Sequence, residues 1–379
     1  MWLFAQTPYN VEKYTAYELR QLDAKNIYPV AGGVYFKGNK ADMMYINYNI
    51  RTANRILWTI EKFPWKDEKD LYEKVNNISW ERLFAPTNSM VLYHNTDTKY
   101  IRDSRMLSLI SKDAICDRFR IKRGFRPNIS KNNPDIRIFI TINKGICYIA
   151  LDTSGNSLNF RGYRKRSIEA PLRETLAASL ILSSGWNKKI SFIDPMCGSG
   201  TIPIEAALFW SNTPPQILRK QYSFFNFSNF DKDLWDDIRK HSIMKIGNKG
   251  DLKIYAGDIS DEYIKISKEN AEMIGVSDMI HWHCAPFEKF IPPAKRGMII
   301  MNIPYNKRLR ISEKGKFYKM IKKSLVTNYS GYKAYILSGD VDSIKFIGLK
   351  PSSEQKFFNG PIEVKFIKYI LKDDRERDR

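Results

Sequence analysis

The sequence is poor in several kinds of residue. It holds four cysteines among 379 residues, Cys116, Cys147, Cys197 and Cys284, and no CxxC pair. That spacing argues against a cysteine zinc site and against a disulfide framework. Each thiol lies in an apolar or small-residue context, where a buried, reduced side chain is expected. No metal site is expected. Apolar runs are short: none approaches the ~20 residues that a membrane-spanning helix needs. The opening "MWLFAQTPYNVEKYTAYELR" has no basic start followed by a long apolar stretch, so no secretory signal is expected. These absences together predict a reducing, cytoplasmic setting and no membrane partner. Acidic residues are also scarce beside basic ones, 41 against 62, which leaves a formal net charge of +21. An excess of that size favours a polyanionic partner.

What is present is enough for two or three domains. The length exceeds one ordinary domain, and 43% hydrophobic residues suffice for cores. The front half mixes small helical and strand patterns. Helical spacing runs through "VEKYTAYELRQLDA", and "GGVYFKG" reads as a short strand. Helix and then strand follow in "KADMMYINYNIRTANRILWTIEKF". Between about residues 68 and 152, helices at "EKDLYEKVNNI" and "SLISKDAICDRFR" alternate with strands at "SMVLYHN", "IRIFITINKG" and "ICYIALDTS", the last two joined as a hairpin through "NKG". This half is α+β. The stretch from Ser154 to Ile168 is polar, glycine-bearing and basic, as a linker would be. Beyond it the pattern becomes strand, helix, strand, helix, which predicts a mostly parallel, doubly wound sheet. The tail "KDDRERDR" is a solvated charge run.

The segment "KISFIDPMCGSGTIPIEAALFW" joins an apolar strand to an apolar helix through a glycine turn. In open α/β sheets ligands bind at the carboxyl ends of strands, where Asp194 stands. Gly198 and Gly200 let the backbone approach a ligand closely, and Pro195 stiffens the exit. A dinucleotide fingerprint needs a third glycine opening the helix, and a phosphate-binding loop needs lysine before Thr201; both are missing. The next strand, "LKIYAGDIS", delivers Asp258. A carboxylate there can accept hydrogen bonds from two ribose hydroxyls. Asp258 lies far beyond the roughly 20 residues of a simple βαβ unit, so an insertion rich in aromatics and charges intervenes. A third strand, "GMIIMNIPYNKRL", brings Asn302, Ile303, Pro304 and Tyr305 to the same edge. The amide oxygen of Asn302 and a neighbouring backbone carbonyl can hold a ring amine by its two N–H groups. That draws the lone pair out of the ring and toward a methyl donor. Tyr305 would stack on the base. His281 and His283 alternate on "MIHWHCA" and read as structural residues of a half-buried strand.

Together these motifs resemble the THUMP-domain RNA guanine-N2 methyltransferases, a family often labelled as N6-adenine DNA methylases. The resemblance covers nearly the whole chain. Asp194 to Thr201 matches the family's DPMCGSGT without change, and "NIPY" stands where the family has an [N/D]PPY stretch. "RGYRKRSIEAPLRETLAA" looks like the family's helix before the catalytic strand, which puts Pro171 beside the methyl donor. The front segments "YINYNIRTANRIL" and "SLISKDAICDRF" resemble its ferredoxin-like and THUMP regions.

The resemblance implies a ferredoxin-like segment over residues 1–46, a THUMP domain over 47–153, a basic linker over 154–168 and a Rossmann-like methyltransferase domain over 169–379. It implies S-adenosylmethionine as donor, held by Pro171, Asp194, Pro195, Met196, Cys197, Gly198, Ser199, Gly200, Thr201, Asp258, Ile259 and Ala285. Asn302, Pro304 and Tyr305 would act on the base, with the Ile303 carbonyl, Arg161, Arg164, Lys165 and Arg166 on the RNA. Two positions depart from the family: Ile303 replaces its first proline, and Pro286 stands where a carboxylate should meet the donor's adenine. Backbone groups of Ala285 and Phe287 are expected to substitute. The implied activity is methylation of a guanosine N2, in 23S ribosomal RNA first and transfer RNA second. A catalytically decayed RNA-binding protein is the reading from another class. Oligomeric state is not legible.

Overall fold

The fold, a computed structural model, describes the chain except residues 97–98, 102, 165, 167–170, 248–253, 293, 305–310, 341 and 373–379, and except the side chains of 311–313. It is built on two seven-stranded sheets. No helix among the described residues is long and apolar enough to cross a membrane.

The front sheet is formed by β1 (Trp2–Gln6), β2 (Lys25–Val30), β3 (Gly33–Lys37), β4 (Arg55–Pro64), β5 (Met90–Asn95), β6 (Ile136–Asn143) and β7 (Ile146–Asp152), in the order β2-β3-β1-β4-β7-β6-β5. Its pairs are antiparallel except β5 with β6. Strands β1 and β6 alternate strictly. Leu3, Ala5, Val34, Phe36, Ile138, Ile140, Ile149 and Leu151 are fully buried on one side, which the helices α1 (Glu12–Gln21), α2 (Lys40–Asn49), α3 (Glu68–Asn77) and α4 (Arg105–Arg123) supply with a shared core. Helix α2 starts at a capping box: Asn39 accepts from the Asp42 N–H at 2.9 Å, and Asp42 accepts from the Asn39 N–H at 2.8 Å. The β6–β7 hairpin turns through Lys144 (φ 50°) and Gly145 (φ 77°), the left-handed pair such a two-strand turn requires.

The expected division at 46/47 falls inside α2, and the sheet runs unbroken across it.

The second sheet contains β8 (Ser191–Asp194), β9 (Ile254–Asp258), β10 (Ile280–Cys284), β11 (Gly297–Asn302), β12 (Lys333–Ser338), β13 (Ser353–Asn359) and β14 (Ile362–Ile370), ordered β10-β9-β8-β11-β12-β14-β13. Five strands are parallel, and β14 runs antiparallel to both neighbours. The central strands β8, β9, β11 and β12 are apolar along nearly their whole length, because helices cover both faces. On one side lie α5 (Glu174–Ser184), α6 (Thr201–Trp210) and α8 (Asp261–Met273), and on the other α9 (Ile311–Asn328). Numbered within this half, the order is 3-2-1-4-5-7-6, with the reversal of strand order beside β8.

The insertion after α6 does not stay with its own domain. Tyr222, Phe224, Phe227 and the α7 (Lys232–Met244) residues Trp235 and Ile238 join the hydrophobic core of the front half. Trp235 meets Tyr222 at 5.2 Å and Phe224 at 5.3 Å edge to face, and those two rings stack on each other at 4.8 Å.

The expected linker is likewise packed. Leu158, Arg161 and Tyr163 are almost wholly buried. Cys284 corrects another expectation: it is exposed, because β10 is the edge strand of its sheet, whereas Cys116, Cys147 and Cys197 are buried.

Candidate active site

Residues from six segments meet in a cavity of about 600 Å³ at the carboxyl ends of β8, β9 and β11. The glycine loop forms its floor. The Cys197 N–H donates to the Gly257 carbonyl at 2.8 Å, which ties the loop to β9. From α8, the Ser267 hydroxyl donates to the Gly198 carbonyl (2.6 Å) and the Asn270 amide to the Ser199 carbonyl (3.1 Å). Gly200 opens α6 at φ 82°, and a Cβ there would stand 3.0 Å from Ser267. Both conformation and space therefore require glycine. Pro203 fits the first turn of α6, where the missing N–H has no helical acceptor in any case.

Two carboxylates face this floor. Asp258 accepts from the Gly198 N–H and the Ser260 N–H, both at 3.0 Å. Asp194 accepts from the Met196 N–H at 3.2 Å. Burial raises both above the ordinary carboxylate range, and the charge of Asp258 pushes Asp194 further in the same direction. Neither has an ion-pair partner among the described residues. Such a pair welcomes hydroxyl donors and a cationic ligand.

Of the expected donor residues, Pro171, Asp194, Pro195, Met196, Cys197, Gly198, Ser199, Thr201, Asp258 and Ile259 line the cavity. Gly200 lies beneath it as the helix cap. Ala285 does not reach it: its N–H is spent on the Asp258 carbonyl at 3.0 Å.

Asn302 and Pro304 line the same cavity. The Asn302 Oδ1 is buried and accepts no hydrogen bond from a described residue. A buried, unpaired amide oxygen is costly and calls for a partner. The Ile303 side chain is fully buried in the core beneath, and its N–H donates to the Leu337 carbonyl at 3.2 Å. Tyr305 lies outside the described residues, as does Lys165.

Two arginines expected on RNA are committed elsewhere. Arg161 is 1% exposed. Its Nε donates to Glu205 of α6 at 3.1 Å, and its other nitrogens donate to the Leu158 and Arg51 carbonyls at 2.7 and 2.6 Å. Arg164 pairs with Glu174 at 3.1 Å and donates to the Leu172 carbonyl and the Thr201 hydroxyl. These contacts bolt the cavity rim to α6; Arg161 has no exposed surface to offer a phosphate, and Arg164 keeps only 18% of its side chain exposed. Arg166 is exposed.

Leu172 and Phe287 line the cavity too, and it also recruits residues that the motifs did not single out: Tyr263, Glu288, Phe317 and Met320. Glu288 is the informative one. A carboxylate was missing at Pro286; a short turn over Phe287–Lys289 brings one in two residues later. That turn is held by the Asn328 amide donating to the Glu288 carbonyl (3.3 Å) and the Tyr329 hydroxyl to the Phe290 carbonyl (3.1 Å). His281 and His283 are exposed on the edge strand β10 rather than half-buried, with their rings stacked at 4.9 and 6.1 Å from the Tyr255 ring centroid.

A sheet of this order, with an acidic glycine loop after its first strand and Asn-x-Pro after its fourth, defines a Rossmann-like methyltransferase domain. The RMKL-like methyltransferase domain model matches residues 161–368, the RlmL ferredoxin-like domain model residues 2–57, and the THUMP domain model residues 66–152. The chain belongs to the RMKL-like methyltransferase family. It is 34% identical over 373 residues to the ribosomal RNA large subunit methyltransferase K/L of Shewanella sp. strain ANA-3, covering 97% of this chain and 52% of that protein. The chain thus spans about half the length of the curated K/L relatives it matches. It is 32% identical to a Synechocystis sp. protein provisionally named an RNA methyltransferase, over 97% of this chain and 96% of that one. A provisionally assigned methyltransferase, SMU.472, solved with SAH, superposes with a TM-score of 0.87 at 26% identity over 98% of each chain.

Proposed function

We propose that the chain is an S-adenosylmethionine-dependent RNA methyltransferase acting on the exocyclic N2 of a guanosine in 23S ribosomal RNA. The observation that carries this is the buried Asn302 oxygen, without a partner among the described residues, on the wall of the cavity whose floor is the acidic glycine loop.

The cavity fits the donor. Asp258 stands where ribose hydroxyls would find a charged acceptor. Asp194 and Asp258, buried and without a cationic partner among the described residues, suit the donor's ammonium and sulfonium charges. Glu288 can accept from the adenine amino group, the role that Pro286 leaves vacant. Phe287, Phe317 and Met320 provide apolar walls. When bound, the donor supplies an electrophilic methyl group. Asn302 Oδ1 and the Ile303 carbonyl accept the two N–H groups of the guanine amine. That localises its lone pair and aims it. No strong base is required, because the amine acidifies once alkylated. A paired guanine hides this edge, so the target base must be unpaired or flipped.

Asp258→Ala is expected to weaken donor binding roughly 10- to 150-fold, since a hydrogen bond to a charged group contributes about 1.5–3 kcal/mol. Calorimetry with the donor reads this directly, and an unchanged affinity would remove Asp258 from the site.

The carboxylate pair also predicts a proton signature. With native values raised above the unfolded 3.8, the free protein holds extra protons just above that pH. It therefore loses stability as pH rises through that region. A cationic donor favours the ionised pair and expels those protons. Binding heats in weakly acidic buffers of different ionisation enthalpy should show proton release, diminished in Asp258→Asn.

The experiment that tests the function as a whole is mass mapping of methylguanosine in ribosomal and transfer RNA with and without the gene.

A further inference from the structure

The open face of the front sheet is the least explained surface of the molecule. An antiparallel sheet packed on one side normally shows polar side chains on the other. Here the outward positions carry rings: Trp2 and Phe4 on β1, Tyr35 on β3, Tyr148 on β7, Phe139 on β6 and Tyr93 on β5. The register sets them side by side, as Phe4 faces Tyr35 across β1–β3 and Tyr93 faces Phe139 across β5–β6. Ring centroids lie 4.6 Å apart for Phe4–Tyr35, 5.9 Å for Tyr35–Tyr148 and 5.0 Å for the stacked pair Tyr93–Phe139. Arg55 lies over the Phe139 ring at 5.9 Å, and Lys37 over Trp2 at 5.0 Å. None of these rings belongs to the buried core; all are at least partly exposed.

A trough of about 870 Å³ runs over this face. Its described lining residues include Lys99, Lys144 and His94 and no carboxylate. That is a cationic, ring-floored trough near the upper end of ligand-cleft sizes, about 300–1,000 Å³. One end is joined to the catalytic half. Asn54 lines the trough, and its Oδ1 accepts from the Thr175 hydroxyl at 2.9 Å. Thr175, in the first turn of α5, follows three residues after Leu172, which lines the cavity at the β8, β9 and β11 ends. At the same end Tyr9 meets Phe358 of β13 at 6.3 Å.

We infer that this face is a stacking platform for unpaired nucleotides of the RNA substrate, feeding the strand that carries the target base toward the Asn302 cavity. Every base has a π face, so rings spaced along strands hold single-stranded RNA with little sequence preference, while the lysines follow its backbone. Duplex RNA, whose bases are stacked internally, offers nothing to such a floor. The inference rests on the reading of the chain as an RNA enzyme.

The test is fluorescence anisotropy with a labelled single-stranded oligoadenosine RNA and with a blunt RNA duplex. The proteins compared are the full chain and its Tyr35→Leu, Phe139→Leu and Tyr148→Leu variants, alone and combined. Leucine keeps the apolar bulk and removes the ring. Each variant should lose about tenfold in single-strand affinity, within the range that stacking commands, and keep its duplex affinity and its calorimetric donor binding. The inference is overturned if the triple variant binds the single strand like the parent. It is equally overturned if duplex affinity falls in parallel, or if sedimentation shows that the variants dissolve a self-interface. A parent that binds oligoadenosine through these rings yet methylates no RNA would instead sink the proposed activity and leave the platform standing.

Discussion

Asn302→Ala is expected to bind the donor as the parent does and to methylate RNA about 100- to 1,000-fold more slowly, the usual cost of removing one preorganised polar group from a reacting centre. The two halves of that result come from different parts of the cavity. Under the proposed function the donor would be met by the loop after β8 and by Asp258, neither of which bonds to Asn302 among the described contacts. The base would be met by Asn302 and the Ile303 carbonyl. Asn302 Oδ1 is buried without a described partner, so its amide is not tied into the fold, and a bound amine would supply the missing donor. Removing the amide should therefore not destabilise the fold. Single-turnover transfer and donor calorimetry on one preparation separate the effects. Transfer at close to the parental rate would return "NIPY" to the status of a turn.

Glu205→Ala is expected to have the largest effect on stability, about 3–5 kcal/mol, because it strands a buried charge. Arg161 and Glu205 are both without exposed side-chain surface. Arg161 also donates to the carbonyl of Arg51, and Arg51 donates from Nη2 to the Thr213 carbonyl at 2.7 Å. Glu18 of α1 accepts from the Arg51 and Thr52 N–H groups at 2.8 and 3.0 Å. The network thus stitches the front half to α6, the helix that begins at the donor loop. Denaturant unfolding of Glu205→Ala should show a markedly lower midpoint. A midpoint shift below about 1 kcal/mol, the size of an exposed pair, would mean that water reaches Arg161.

This network also shows where reading a sequence stops. "RGYRKR" is a basic run, and a run of that kind suits RNA phosphates. Whether an arginine reaches solvent or a buried glutamate depends on a partner 44 residues away, which no local pattern reveals. The catalytic half was far more legible. Its parallel strands are near-continuous apolar runs, and the residues at their carboxyl ends, Asp194, Asp258 and Asn302, converge as expected. Strands β1 and β2 were not recognised. The first is five residues long, and the second is an exposed edge strand containing Pro29. The β13–β14 hairpin escaped because its outward face carries charges. Glu288 escaped because a turn, rather than a strand end, carries it into the cavity. The insertion was visible as an interruption, but its aromatic residues gave no sign that they belong to the other half's core.

The most direct measurement is mass mapping of methylated nucleosides in ribosomal and transfer RNA from cells lacking the gene, complemented either with the parent or with Asn302→Ala. The proposed function requires one N2-methylguanosine of 23S ribosomal RNA to vanish on deletion, to return with the parent and to stay absent with Asn302→Ala. Retention of every 23S methylguanosine in the deletion strain, or loss of a transfer-RNA guanosine mark or an N6-methyladenosine instead, would contradict it.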